Sequence, residues 1–167
     1  AALPREDARD GLIGAPSISA LPPGARVGTT SPRRAALLRN MRPDLQIVLF
    51  RGNVQTRLDK LARGEADATL LAMAGLNRLG LRPAIPPLDL QDFLPAAGQG
   101  VIGLEARQDD DEAIGLATRI DDTTAGLALA AERACLAELD GSCRSAIGIH
   151  AARANGGFTL RAAVFAL

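Results

Sequence analysis

Apolar residues in the first half of the chain concentrate in three short runs that predict strands, each followed by a polar loop and an amphipathic stretch. The runs cover 25–29, 46–50 and 68–72. Helices are predicted after them over 31–42, 54–62 and 75–81. The apolar run at 46–50 is typical of a strand that is buried on both faces of a parallel sheet. The alternation therefore predicts an α/β domain with a mostly parallel sheet.

The first two predicted helices carry clear start signals. Ser31 is an N-cap residue that directly precedes Pro32, and proline is favoured at the first helical position. Asn53 is the predicted N-cap of the second helix, and Gly64 marks its end.

A proline-rich segment at 83–95 interrupts the alternation, so we place a domain boundary near 93–95. The sequence AGQGVIGLE at 97–105 then predicts a glycine-rich turn followed by a strand. The acidic run at 109–112 is interpreted as a solvated loop or a helix start, and not as a site.

The last third of the chain predicts one long helix and a hairpin. The helix covers 123–139. Its apolar face is predicted to consist of Leu127, Ala131, Ala134 and Leu139. Two strands follow over 146–164, around the turn Asn155-Gly156-Gly157.

Composition excludes several classes of function. Aromatic residues make up 2% of the chain and the formal net charge is +0, which argues against a nucleic-acid surface. No apolar run approaches the roughly 20 residues of a membrane span. With two cysteines and one histidine, metal binding has no support. The first residues do not resemble a signal peptide, so we expect a cytoplasmic protein. They also lack an initiator methionine, so we expect the sequence to start partway through a longer chain.

Arginines occupy positions at the predicted helix starts that normally favour acidic residues. Arg33 and Arg34 lie in the first turn of the first helix, and Arg51 and Arg57 flank the start of the second. Arg78 lies in the opening turn of the third predicted helix. A cation there costs about 0.3–1 kcal/mol unless an anion lies nearby. Because helix starts meet at the carboxyl edge of such a sheet, the five side chains predict a crevice for a ligand with several carboxylates or phosphates.

The competing interpretation is that these are solvated arginines in an arginine-rich chain, since Lys60 is the only lysine among 19 basic residues. The two cysteines also differ in context. Cys135 lies inside the long apolar helix and is expected to be a core residue. Cys143 follows Gly141-Ser142 on a small loop, where a thiol is either unremarkable or a nucleophile or attachment point.

Five segments carry more specific patterns, which are GTTSPRR at 28–34, RGNVQTR at 51–57, AGLNRLG at 74–80, PAAGQG at 95–100 and GSCRSAIG at 141–148. In this order they resemble successive motifs of the hydroxymethylbilane synthase (porphobilinogen deaminase) family. The resemblance covers essentially the whole chain, although the last motif varies from more familiar members around 144–146.

The resemblance implies a transferase of tetrapyrrole (porphyrin, heme) biosynthesis, which joins four porphobilinogen units head to tail with loss of ammonia. It implies a dipyrromethane cofactor attached through a thioether to Cys143. Porphobilinogen and the growing polypyrrole chain bring an acetate and a propionate on every ring, which accounts for the arginines. The positions that match the family's carboxylate-binding residues are Ser31, Arg33, Arg34, Arg51, Arg57 and Arg78. Arg5 matches a motif near a hinge and carries less weight.

The family's catalytic aspartate lies in a first domain that precedes the equivalent of Ala1, so no aspartate of this chain is assigned as general acid–base. The resemblance implies a periplasmic-binding-protein-like α/β domain at 7–94, a return segment at 95–117 and a truncated α+β domain at 118–167. The fragment alone is therefore expected to be inactive, and the full-length enzyme to be a monomer.

Two other classes stay open. The α/β domain could be a carboxylate-binding module without chemistry, akin to periplasmic solute-binding proteins, or a regulatory domain for a phosphate ligand. A covalent group on Cys143 discriminates between them and the enzyme, because a binding module has no use for a thioether.

Overall fold

The computed structural model describes residues 1–81 and 86–165. The strands are β1 (Asp10–Ile13), β2 (Arg26–Gly28), β3 (Gln46–Val48), β4 (Ala68–Ala72), β5 (Ile147–Ala154) and β6 (Gly157–Val164). The helices are α1 (Pro32–Met41), α2 (Val54–Ala62), α3 (Met73–Arg78), α4 (Asp111–Arg119) and α5 (Thr123–Glu138). The beginning of the proline-rich segment, at 83–85, and the last two residues, 166–167, lie outside the described residues.

The first sheet has the strand order β1-β4-β2-β3. Strand β2 runs parallel to both β3 and β4, while β1 pairs antiparallel with β4, so that Asp10 lies opposite Ala72. The prediction of a mostly parallel sheet is confirmed. The sequence pattern does not predict β1, because four residues that begin with an aspartate give no apolar run.

Helices α1 and α2 begin where their caps predict. The Ser31 side chain accepts a hydrogen bond from the backbone N–H of Arg34, and Asn53 accepts one from Thr56. Helix α3 differs, because it begins at Met73 directly after β4 and ends at Arg78. Its N-cap, Ala72, makes no side-chain capping bond, so the sequence carries no start signal at this position.

The main hydrophobic core lies between the first sheet and α1. Leu12, Val27, Leu38 and Leu70 are at most 1% exposed and come from three strands and a helix. Phe93, at the end of the proline-rich segment, is buried in the same core. Each such side chain contributes about 1.5–3 kcal/mol of burial free energy.

The last part of the chain forms a small antiparallel unit, in which α5 packs on the β5–β6 hairpin. The predicted turn is confirmed, because Asn155 and Gly156 both have positive φ angles, 46° and 81°. The predicted apolar face of α5 is wrong, since Leu127 and Leu139 are exposed. The buried residues of α5 are Ala125, Ala128 and Glu132. Apolar side chains surround this helix on most sides, so their pattern does not single out the face on which it packs.

The strand predicted within 97–105 is also wrong. In the described chain this segment forms turns and one isolated antiparallel bridge, between Ala2 and Gly103. The acidic run does begin a helix, because Asp110 caps α4 by accepting from the N–H of Ala113. Within the described ranges, none of the helices combines the length and apolar character that a membrane span requires.

Candidate functional site

A pocket of about 410 Å³ lies between the first turn of α1 and the loop that follows α5. The first turn of α1 contributes Ser31, Arg33 and Arg34, and the loop contributes Cys143. The other lining residues are Ala96, Ala97, Gln99, Arg133, Leu136, Ser142, Ser145 and Ile147. Residues more than a hundred positions apart in the sequence therefore share one cavity with two cationic walls.

Arg33 and Arg34 are fixed by a buried carboxylate, Asp10, at the start of β1. Arg33 Nη2 lies 2.8 Å from Asp10 Oδ2, and Arg34 Nη2 lies 2.7 Å from Asp10 Oδ1. Their Nη1 atoms donate to main-chain carbonyls, Arg33 to Leu94 at 2.7 Å and Arg34 to Leu70 at 3.1 Å. Asp10 is fully buried and Arg33 is only 3% exposed, so Arg33 is not a solvated surface arginine.

The two arginines retain hydrogen-bonding capacity that the protein does not use. The Nε atoms of Arg33 and Arg34 are buried, and neither has a partner among the described residues. A guanidinium is a fork of five N–H donors that suits a carboxylate. The anion that the sequence analysis expected at this helix start is thus supplied in part by Asp10, and donors remain for a ligand.

Electrostatics keep this cluster ionised. Burial raises the pKa of Asp10, but the charges of Arg34 and Arg33 outweigh burial and hold this pKa below its ordinary value. Burial lowers the pKa of Arg33, and the charge of Asp10 opposes this shift. Since guanidinium stays protonated in proteins, the three side chains carry a net charge of +1.

A second buried carboxylate, Glu132 of α5, ties the two parts of the chain together. Its oxygens lie 2.6 and 3.2 Å from Arg5 Nη1 and Nη2, and they accept from the main-chain N–H groups of Gly98 at 2.6 Å and Ala151 at 2.7 Å. Arg5 Nε also donates to the carbonyl of Gln99 at 3.0 Å. This network fixes the loop that forms the floor of the pocket against α5 and β5.

Cys143 is exposed and has a free thiol, while Cys135 is partly buried within α5. The Cys143 loop is held by a bond from the N–H of Ser142 to the hydroxyl of Ser145 at 3.0 Å. It begins at Gly141, where an added Cβ would overlap side chains of Leu136 and Ile147. With glycine at this close approach, the loop leaves α5 beside the pocket without displacing the ends of these two side chains.

The remaining predicted arginines do not line this pocket. The pKa of Arg57 is lowered first by burial and then by the charge of Arg34. Arg51 is exposed, and its carbonyl accepts from Lys60 Nζ at 3.3 Å. Arg78 is exposed at the last residue of α3, so its placement in an opening turn is wrong. A cation at that end is favoured by the helix dipole and needs no ligand to explain it.

Three residues at or behind the pocket were not predicted from the sequence. Arg133 lines it, Gln99 lines it and bonds to Arg33 at 3.2 Å, and Asp10 lies behind it. A usable signal existed for Arg133, because Glu132 and Arg133 interrupt an otherwise apolar helix. Asp10 gave none, since it looks like an ordinary loop aspartate. The described residues contain no cluster of three histidine, cysteine or carboxylate side chains that could hold a metal.

Comparison with known proteins gives one consistent result. A family model described as "Porphobilinogen deaminase, dipyromethane cofactor binding domain" matches residues 1–115, so Cys143 lies beyond the matched part. A protein named porphobilinogen deaminase from Nitrobacter hamburgensis is 55% identical to this chain, and the match covers 92% of this chain and 49% of the relative. One in Sphingopyxis alaskensis is 53% identical, over 99% of this chain and 54% of the relative. One in Roseiflexus sp. is 55% identical, over 89% of this chain and 50% of the relative. The chain spans about half the length of these relatives, and it belongs to the porphobilinogen deaminase family.

Proposed function

We propose that the chain is the carboxylate-binding and cofactor-carrying part of a hydroxymethylbilane synthase. The reaction joins four porphobilinogen units head to tail with loss of ammonia, on a dipyrromethane primer linked to Cys143. The observation that carries the proposal is that Cys143 lines the same cavity as Ser31, Arg33 and Arg34. Family membership, established over residues 1–115, supports it independently.

The pocket suits a ligand with several carboxylates. The buried, unpartnered Nε atoms of Arg33 and Arg34 are donors that an acetate or propionate group could engage after small side-chain movements. Arg133 adds a cation on the opposite wall. The hydroxyl of Ser31 accepts from the N–H of Arg34 at 3.4 Å, and among the described residues no group accepts its proton, which a ligand carboxylate could therefore take up as a hydrogen bond. The charge of Arg34 acts on Arg57, and we propose Arg57, Arg51 and Arg78 as contacts for carboxylates outside this pocket.

Cys143 is the proposed attachment point of the dipyrromethane. Its thiol is free and exposed, whereas Cys135 is partly enclosed by α5 and its neighbours. When bound, the dipyrromethane supplies the free pyrrole α-carbon to which the first substrate unit is joined. The role of the chain's own residues is to hold the carboxylates and to orient the rings.

Proton transfer is not explained by this pocket. Among the described residues that line it, none carries a carboxyl or imidazole group. Asp10 lies behind it with a lowered pKa and Glu132 is saturated by hydrogen bonds, so neither is suited to donate a proton to departing ammonia. We therefore keep the prediction that the acid–base group lies outside this sequence and that the chain alone makes no bilane.

We also propose the division of the chain into 7–94, 95–117 and 118–167, in which 7–94 is an α/β domain of the periplasmic-binding-protein type. It is supported by the burial of Phe93 and Leu94 at the end of the first unit and by the separate packing of α5 on β5. It stays a prediction that the full-length protein is a cytoplasmic monomer and that it binds no nucleic acid, membrane or metal.

The mass of the intact, complete gene product tests the cofactor assignment. We expect an added mass that corresponds to a dipyrromethane in wild type and in Cys135→Ala, and its loss, together with bilane formation, in Cys143→Ala. Survival of the added mass in Cys143→Ala would refute the attachment point. Absence of any added mass and of bilane in wild type would favour a binding module without chemistry.

A further inference from the structure

Asp10 is a fully buried carboxylate that the proposed function does not use. It accepts from Arg33 Nη2 at 2.8 Å, from Arg34 Nη2 at 2.7 Å and from Gln99 Nε2 at 3.0 Å. Gln99 also bonds to Arg33 Nη2 through its own oxygen, at 3.2 Å. Asp10 thus contacts both pocket arginines and Gln99, which also lines the pocket.

This arrangement halves the charge that the two arginines present. Two guanidinium groups and one carboxylate leave a net charge of +1. The Nη2 group of each arginine already pairs with Asp10. A ligand carboxylate that binds these two arginines therefore competes with the carboxylate of Asp10, which is already paired with both. Its attraction is weaker than to two unpaired cations, and a second ligand carboxylate would find the pair neutralised.

Fold stability alone gives no reason for this cluster. A buried ion cluster is seldom more stable than apolar residues of similar volume, because desolvation of the charges offsets their attraction. The arginines also lie in the first turn of α1, where the helix dipole disfavours cations. A ligand that binds too tightly would hinder any process in which the same site must release one carboxylate and accept the next.

We propose that Asp10 is a positioning residue that limits the Arg33–Arg34 pair to one ligand carboxylate and keeps that carboxylate exchangeable. The proposal rests on the proposed function, in which successive rings of a growing chain use the same arginines. Asp10 contacts no substrate atom and acts through the two guanidinium groups.

Asp10→Asn tests this in the complete gene product. Because the net charge of the cluster rises to +2, we expect propionate to bind roughly ten-fold more tightly, measured by titration calorimetry. The KM for porphobilinogen should fall and kcat should fall with it, since release slows. If Asp10 only supported the fold, propionate affinity would drop and KM would rise, and either result would overturn the proposal. Asp67→Asn is the matched control, because Asp67 pairs with Arg26 at the amino ends of the central strands β4 and β2, whereas Asp10 lies opposite the last residue of β4. This variant should change none of these values.

Gln99 provides a second route if Asp10→Asn does not fold. Gln99→Glu places another carboxylate against Arg33 and loses the bonds that Nε2 donates to the Ala8 carbonyl and to Asp10. Gln99→Met loses these two bonds and also the bond from Arg33, and it adds no charge. We expect Gln99→Glu to bind propionate roughly ten-fold more weakly than Gln99→Met, and equal affinities would overturn the proposal. Failure of the proposed function looks different, because wild type would then form no bilane while the order of propionate affinities remained measurable.

Discussion

Glu132 offers the sharpest test of how this fold is held together. Its carboxylate is 0% exposed and accepts two bonds from Arg5 and one each from the main-chain N–H groups of Gly98 and Ala151. Glu132→Gln keeps the shape but removes the charge, and its amide nitrogen must face one of these donors. Arg5, whose side chain is 13% exposed, is left without a counterion.

We expect Glu132→Gln to lower the free energy of unfolding by about 3–5 kcal/mol, the usual cost of removing one partner of a buried pair. Such a loss is a large share of the roughly 5–15 kcal/mol that stabilises a domain. An apolar replacement of both Glu132 and Arg5 should not restore stability, because the N–H groups of Gly98 and Ala151 would still lack an acceptor.

Urea unfolding followed by far-UV circular dichroism measures this loss, since the chain has neither tryptophan nor tyrosine for fluorescence. Glu138→Gln, on the same helix and exposed, is the control and should lie within about 0.5 kcal/mol of wild type. A loss below about 1 kcal/mol in Glu132→Gln would refute the reasoning, because desolvation would then cancel the whole network.

Three further predictions concern the site and its surroundings. Arg33→Lys and Arg57→Lys keep the charge but lose the planar fork, so carboxylate affinity should fall by about 1.5–3 kcal/mol in calorimetry; Arg33→Lys should also lower stability, because its bonds to Leu94 and Asp10 are lost. Gly28→Ala should cost about 1–3 kcal/mol in urea unfolding, since the new Cβ would overlap the buried Phe50 ring. Because the pKa of Asp10 is lowered in the folded state, its contribution to stability is present above its ordinary pKa of 3.8 and is lost as the pH falls below that value. Acid unfolding should therefore show a shallower loss of stability in Asp10→Asn than in wild type, and equal slopes would contradict this.

The sequence by itself determined the features that depend on neighbouring residues. The starts of α1 and α2 follow from Ser31 and Asn53, whose side chains accept from N–H groups three residues later. The hairpin turn follows from Asn155 and Gly156, which tolerate positive φ. Alternating strands and helices gave the mostly parallel sheet, and the order of the motifs pointed to the family that the comparison then established.

Tertiary structure alone decided which side chains meet. Arg5 and Glu132 are 127 positions apart, and Asp10 reaches Arg33 and Arg34 from a strand whose four residues gave no signal. Arg78 lies at the end of α3 instead of its start, because the chain turns directly from β4 into a helix that has no capping side chain. Local rules cannot supply such contacts, since a carboxylate is buried only where several distant donors converge on it, and that convergence is a property of the packed chain.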